Sequence, residues 1–159
     1  MAELAYLSLG SNVGDRAANL RTAIKRLGEA GTVQAISSLY ETEPVDFCEQ
    51  PWFLNCVVAL QTTKTPQELL KTLLEMEKAM GRRRTQDKGP RTIDIDIVLF
   101  SELLVREQGL TIPHPAMHER RFVLEPLAEI APDVTHPALK KTARELLAAL
   151  APGATVRRL

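Results

Sequence analysis

Asp94 and Asp96 are separated by one residue in the run Thr92-Ile93-Asp94-Ile95-Asp96-Ile97. On a strand, positions i and i+2 face the same way and lie about 6.6 Å apart, at ~3.3 Å per residue. Two carboxylates held side by side repel one another unless a cation lies between them. Magnesium, which takes carboxylates together with substrate phosphates, meets that need. A solvated strand face produces the same Asp-x-Asp pattern, so the pair alone does not decide. The basic residues around it carry more weight. Arg82, Arg83 and Arg84 stand together, Arg91 precedes Asp94, and His114 is followed by Arg120 and Arg121. Arginines at a helix C-terminus can simply answer the helix dipole. Acids and arginines converging on one strand entrance are also what a polyphosphate carried on metal ions requires, because the forked guanidinium meets charge that spreads over transferring oxygens.

The elements that must position these groups are legible from periodicity. Residues 4–9 are short and apolar and end at Gly10-Ser11-Asn12, a strand followed by a turn. Asp15 stands at an N-cap position ahead of Ala17, Leu20, Ile24 and Leu27, one apolar face of a helix. Gly10-Ser11-Asn12 with Gly14 can cradle an anion at that helix start, or serve only as the turn that places Asn12 and Asp15. Residues 33–42 read as a second strand, and 43–52, with Pro44 and Pro51, as a loop. In a third strand, 53–61, Leu54, Cys56, Val58 and Leu60 share one face, and Phe53, Asn55, Val57 and Ala59 the other. A second helix starts near Pro66 and lines up Leu69, Leu73, Met76 and Met80. The fourth strand, 92–100, alternates Ile93, Ile95, Ile97 and Leu99 with Thr92, Asp94, Asp96 and Val98. This order is β-α-β-β-α-β. It predicts an α+β fold, a ferredoxin-like antiparallel sheet with helices on one face and the other face free for ligands. Residues 101–159 form a C-terminal extension, with helices expected near 122–130 and 141–150.

The bulk properties narrow the classes. The 159 residues fit one domain, 1–159, with a sizeable core. Twenty basic and twenty acidic side chains cancel, which argues against a protein that coats nucleic acid. RNA recognition would also want exposed aromatics on the central strands, and the chain is only 4% aromatic. No Gly-x-x-x-x-Gly-Lys-Ser/Thr loop is present, which excludes a Walker-type site. The start lacks a basic n-region, no run reaches membrane-span length, and Cys48 and Cys56 stand outside any Cys/His cluster. A cytoplasmic protein with free thiols is therefore expected.

The segment Asp87-Lys88-Gly89-Pro90-Arg91-Thr92-Ile93-Asp94-Ile95-Asp96-Ile97-Val98 resembles the signature of the 6-hydroxymethyl-7,8-dihydropterin pyrophosphokinases. The resemblance continues in Leu9-Gly10-Ser11-Asn12, Tyr40-Glu41-Thr42-Glu43-Pro44, Phe53-Leu54-Asn55, Pro113-His114-Pro115 and Glu119-Arg120-Arg121-Phe122-Val123-Leu124. Five pieces in the family's order span nearly the whole chain. The resemblance implies pyrophosphoryl transfer from Mg-ATP to the hydroxyl of a hydroxymethyl-dihydropterin in folate biosynthesis, with AMP leaving. It implies that Asp94 and Asp96 bind two magnesium ions. Arg82 and Arg91 would stabilise the transferring group, and Arg84, Thr111, His114 and Arg120 would contact ATP. Asn55 would read the pterin's amide edge, Phe53 and Phe122 would sandwich its ring, and main-chain groups near Thr42 and Val45 would complete the pocket. The partners implied are these two small molecules, with no nucleic acid or membrane, and a monomer is the expected state.

Each residue has a plainer alternative. Phe122 fits a core position, His114 can hold a turn between two prolines, and Asn55 can be a hydrogen-bonded structural amide. The sequence also departs from its relatives, carrying Lys88 where many have an aromatic and Asp46 where many have glycine. The loops 43–52 and 82–90 concentrate proline, glycine and charge and are expected to close over the ligands. The competing class is a ferredoxin-like module that senses a nucleotide or other ligand without turnover.

Overall fold

The computed structural model of the chain describes residues 2–43, 51–81, 92–153 and 155–159. Strand β1 (Glu3–Ser11) leads into helix α1 (Arg16–Arg26), whose N-cap is Asp15, its carboxylate accepting from the Ala18 N–H at 3.0 Å. The capping reading of the first turn therefore holds. The expected second strand is two pieces, β2 (Thr32–Ile36) and β3 (Tyr40–Thr42), both paired with β4 (Phe53–Thr62). The break falls at Ser37, whose hydroxyl accepts the Val57 N–H at 2.9 Å and so replaces one rung of the ladder. Helix α2 (Pro66–Ala79) opens on a capping box, Thr65 with Glu68, and has proline in its first turn.

Strand β5 (Asp94–Phe100) pairs with β1, giving the order β3-β4-β1-β5 with β1 at the centre. A bulge interrupts that pairing, since Tyr6 faces Leu99 while Leu7 faces Ile97. Simple alternation puts Leu99 with the isoleucines. The extra residue reverses the phase, so Leu99 joins the opposite face and Phe100 the helix face. The extension then runs through the hairpin β6 (Val105–Glu107) and β7 (Leu110–Ile112), helix α3 (Arg121–Ile130), and a second hairpin, β8 (Thr135–His136) and β9 (Lys141–Thr142). Helix α4 (Ala143–Ala148) follows, and β10 (Val156–Arg158) returns to pair with β3.

The α+β ferredoxin-like class holds, and the extension adds something the strand pattern does not show. Leu7, Leu9, Cys56, Val58, Leu60, Ile95 and Ile97 pack against α1 and α2 in one core. Tyr6, Val57, Ala59, Val98 and Leu99 pack against Val123, Leu124 and Leu127 of α3 and Leu146 of α4 in a second. Part of the face expected to be free is thus covered. Gly10, Asn55, Asp94 and Asp96 belong to neither core, and the end of the face that carries them is where ligands can lie. Cys56 is a free, buried thiol pushed up to about 12 by burial, a packing residue and no nucleophile.

Candidate active site

Strand register builds the site. Tyr40 on β3 faces Asn55 on β4, Asn55 faces Gly10 on β1, and Gly10 faces Asp94 on β5. One row across four strands therefore carries Tyr40, Asn55, Gly10 and Asp94 on the same face. The flanking rows hold Thr42 with Phe53 on one side, and Val57, Ser8 and Asp96 on the other. Asn55 and Asp94 sit two strand spacings apart, ~9.6 Å at ~4.8 Å each.

On the β3–β4 side the floor is polar and incompletely paired. Asn55 and Thr42 are each 4% exposed. Asn55 Oδ1 and Thr42 Oγ1 are buried with no hydrogen-bond partner among the described residues. Buried polar atoms are normally paired, and one left alone costs about 1–3 kcal/mol. Two orphans on adjacent positions of one face mark a place built to be completed by a polar ligand. Phe53 lies half-buried beside them. Phe122, at the start of α3, is also half-buried, packs against the second core, and has the Arg120 guanidinium 5.5 Å above its ring. Core packing and an exposed aromatic edge thus coexist in that residue.

On the β5 side the groups are charged. Asp94 and Asp96 are both half-buried, and Ile95 between them points into the first core. The strand end that bears them is fixed by Glu77 of α2, 2% exposed, whose carboxylate accepts the Ile95 N–H at 2.7 Å. The α2 periodicity carries a signal for this residue, since Glu77 falls one turn beyond Leu73 on the buried stripe. His114 follows β7, tied to β5 by its N–H donating to Val98 O at 3.0 Å. Its Nδ1 accepts from the Ala116 N–H at 3.1 Å, which leaves the proton of the neutral ring on Nε2. Burial and then the nearby Arg120 charge hold its pKa below the usual histidine value, with Asp94 pulling weakly the other way. His114, Arg120 and Asp94 are therefore electrostatic neighbours. Thr111 is exposed on β7, opposite Arg106. Among the predicted site residues, Val45, Arg82, Arg84 and Arg91 lie outside the described residues, as do Asp46, Cys48, Lys88 and most of the two loops.

Among the described residues no third His, Cys, Asp or Glu joins Asp94 and Asp96 to make a cage.

The chain that builds this floor and wall is similar to known proteins. A family model for 7,8-dihydro-6-hydroxymethylpterin-pyrophosphokinase matches residues 6–132. The chain is 44% identical over 155 residues to a 2-amino-4-hydroxy-6-hydroxymethyldihydropteridine pyrophosphokinase of Methylorubrum extorquens, covering 96% of this chain and 97% of that one. It is 46% identical over 136 residues to the protein of that name from Bacillus subtilis, covering 84% of this chain and 81% of that one. The Folic acid synthesis protein fol1 of Schizosaccharomyces pombe is 42% identical over 147 residues, 91% of this chain. The chain spans only 20% of that protein's length. In fold it is similar to a Plasmodium falciparum HPPK-DHPS structure with a TM-score of 0.76 and 20% identity, over 93% of this chain and 44% of that one.

Proposed function

The chain belongs to the 7,8-dihydro-6-hydroxymethylpterin-pyrophosphokinase family, and we propose that it transfers pyrophosphate from ATP to 6-hydroxymethyl-7,8-dihydropterin. The acceptor is the pterin's primary hydroxyl, the products are the pterin diphosphate and AMP, and the step serves folate biosynthesis. The observation that carries this reading is the row Asn55–Gly10–Asp94, with the orphaned Oδ1 of Asn55 at one end and a carboxylate at the other.

The pterin's amide edge offers N–H donors and a carbonyl, and Asn55 can meet both kinds while the Thr42 hydroxyl supplies a further group. Phe53 and Phe122 hold the ring from its two faces. ATP lies towards β5, where His114 Nε2–H donates and Arg120 contributes charge. Thr111, Arg84, Arg82 and Arg91 are assigned to ATP and to the transferring group by their match to the family's motifs. Asp94 and Asp96 would hold magnesium, two ions in this proposal, which when bound neutralises phosphate charge and aligns the chain of phosphates. In the step, the substrate oxygen bonds to the β-phosphorus, the bond from that phosphorus to the α-phosphate oxygen breaks, and the hydroxyl proton leaves. The protein supplies mainly position and charge, which is what phosphoryl transfer demands.

The family match over residues 6–132 supports a single pyrophosphokinase domain, 1–159. Among the described residues no helix is long and apolar enough to cross a membrane. The free buried thiol of Cys56 agrees with a reducing, cytoplasmic setting. The deciding experiment measures AMP release from Mg-ATP with and without the pterin. AMP formed in step with pterin diphosphate is expected. ATP binding without any pterin-dependent AMP would instead identify a ligand-sensing module.

A further inference from the structure

Gly10 sits in the middle of the site row, and its backbone gives no reason for glycine. Its φ lies outside the left-handed region, unlike that of Gly14, Gly81 and Gly109. It pairs with strands on both sides, and β1 continues through Ser11. Glycine weakens a strand interior because it packs nothing and loses the most freedom on folding. Something other than backbone conformation must call for it there.

Space does. A Cβ at this position would come 2.7 Å from Asn55 Nδ2, 3.9 Å from Asn55 Cγ and 3.4 Å from Phe53 Cδ1. The Asn55 amide is therefore laid across β1 over the glycine. It has little freedom to retreat, since Asn55 is 4% exposed and stands on an interior strand. A methyl would strike Asn55 and touch Phe53, the two residues assigned above to the heterocycle, and the neighbour on the other side, Asp94, is assigned to the phosphates.

We propose that Gly10 is the positioning and specificity residue between the two subsites. Its missing side chain seats the Asn55 amide and leaves clear the strip of β1 over which the substrate's reacting arm reaches from the ring towards Asp94. This rests on the pyrophosphokinase reading for the identity of the ligand, whereas the seat itself is a property of the protein alone. Gly10 acts through Asn55 and through space; it donates no group to the reaction.

The test compares wild type, Gly10→Ala, Asn55→Ala and the double variant by steady-state kinetics with 6-hydroxymethyl-7,8-dihydropterin and Mg-ATP. Side-chain amide NMR of the ligand-free proteins runs beside it. Gly10→Ala is expected to raise the pterin KM by about tenfold, the worth of one lost hydrogen bond, and to leave the ATP KM within about twofold. In the Asn55→Ala background the same substitution should shift the pterin KM by clearly less than about tenfold, because the amide it displaces is gone and only the obstructed strip remains. In ligand-free Gly10→Ala the Asn55 side-chain amide signals should move. A pterin KM unchanged in Gly10→Ala, an undiminished effect in the Asn55→Ala background, or unmoved Asn55 amide signals would each overturn the proposal. Wild-type protein that neither binds nor consumes the pterin would overturn the functional reading instead, and the amide signals would still decide the seat.

Discussion

Thr42 carries a buried hydroxyl with no partner among the described residues, which costs the ligand-free protein stability and favours whatever completes the bond. Thr42→Val keeps the shape and removes the orphan. The variant should be more stable by about 1 kcal/mol in urea titration and should bind the pterin about tenfold more weakly by calorimetry. Tighter pterin binding would show that the hydroxyl plays no part in recognition. Asp94→Ala and Asp96→Ala address the charged wall. Each should lower turnover on the order of 10²- to 10⁴-fold while the circular dichroism spectrum is retained, and near-normal turnover at saturating magnesium would refute the metal assignment. At this scale much could be read from the sequence, because Asp-x-Asp and Asn in an apolar strand are costly patterns that call for an explanation. Gly10 could not, since a glycine before Ser-Asn reads as turn chemistry. Only the strand register reveals which side chain lies over it.

Glu129 of α3 joins three segments that are far apart in the chain. Its carboxylate accepts from Ser38 N at 3.0 Å, Ser38 Oγ at 2.9 Å and Tyr40 OH at 2.7 Å, with Arg158 at 3.4 Å. Burial and this hydrogen bond push the Tyr40 hydroxyl up to about 12, so it remains a donor throughout the working range. Glu129→Ala should destabilise the protein by about 2 kcal/mol, because it strands the buried Tyr40 hydroxyl as well as removing its own bonds. Tyr40→Phe, which deletes the stranded group too, should cost less in the same denaturation series; a larger loss would contradict that account. The helices are legible because caps and apolar stripes are local: Asp15 and Pro66 announce their own positions. The split between β2 and β3 and the bulge in β5 are not. Ser37 repairs its gap with a side-chain hydroxyl, and the apolar run Ile97-Val98-Leu99-Phe100 looks alike in either phase. Nor does any strand announce that α3 and α4 will cover part of the second face. That face is apolar at Val57 and Ala59 and polar at Gly10 and Asn55, a difference that gains meaning only once the neighbours are placed.

Stability as a function of pH belongs to the whole molecule. His136, buried on β8, accepts the N–H groups of Ala138 and Leu139 at its Nδ1, and burial followed by the nearby His118 holds its pKa below 6.5. His114 is shifted in the same direction. A histidine with a depressed folded pKa lends its full stability above the unfolded value and loses it as pH falls through the folded one. Glu41 is held below 4.5 by hydrogen bonds from Arg157 and then Arg16. For Glu129 burial pushes upward, but the bonds from Tyr40 and Ser38 outweigh it. Both carboxylates lose their contribution only below 4.5. The urea midpoint should accordingly fall in two stages as pH drops, the first beginning near 6.5. His136→Asn, which keeps an acceptor near Nδ1 and removes the titration, should shrink that first stage. A midpoint that stays level from pH 8 to 5 would exclude any such contribution from the buried histidines.

Because Asn55, Gly10 and Asp94 are lined up by main-chain pairing, the spacing between the proposed ring and phosphate subsites is gauged by the hydrogen bonds across two strand gaps. The protein thus carries a fixed measure against which a substrate's length is tried. A pterin whose arm is longer by one methylene, ~1.5 Å, would present the same ring to the proposed pocket of Thr42, Asn55, Phe53 and Phe122. Its hydroxyl would nonetheless miss the ~3–3.5 Å approach that reaction requires. Such a homologue should compete with the natural substrate at similar affinity and be turned over slowly. Equal turnover of the two would mean that the floor yields.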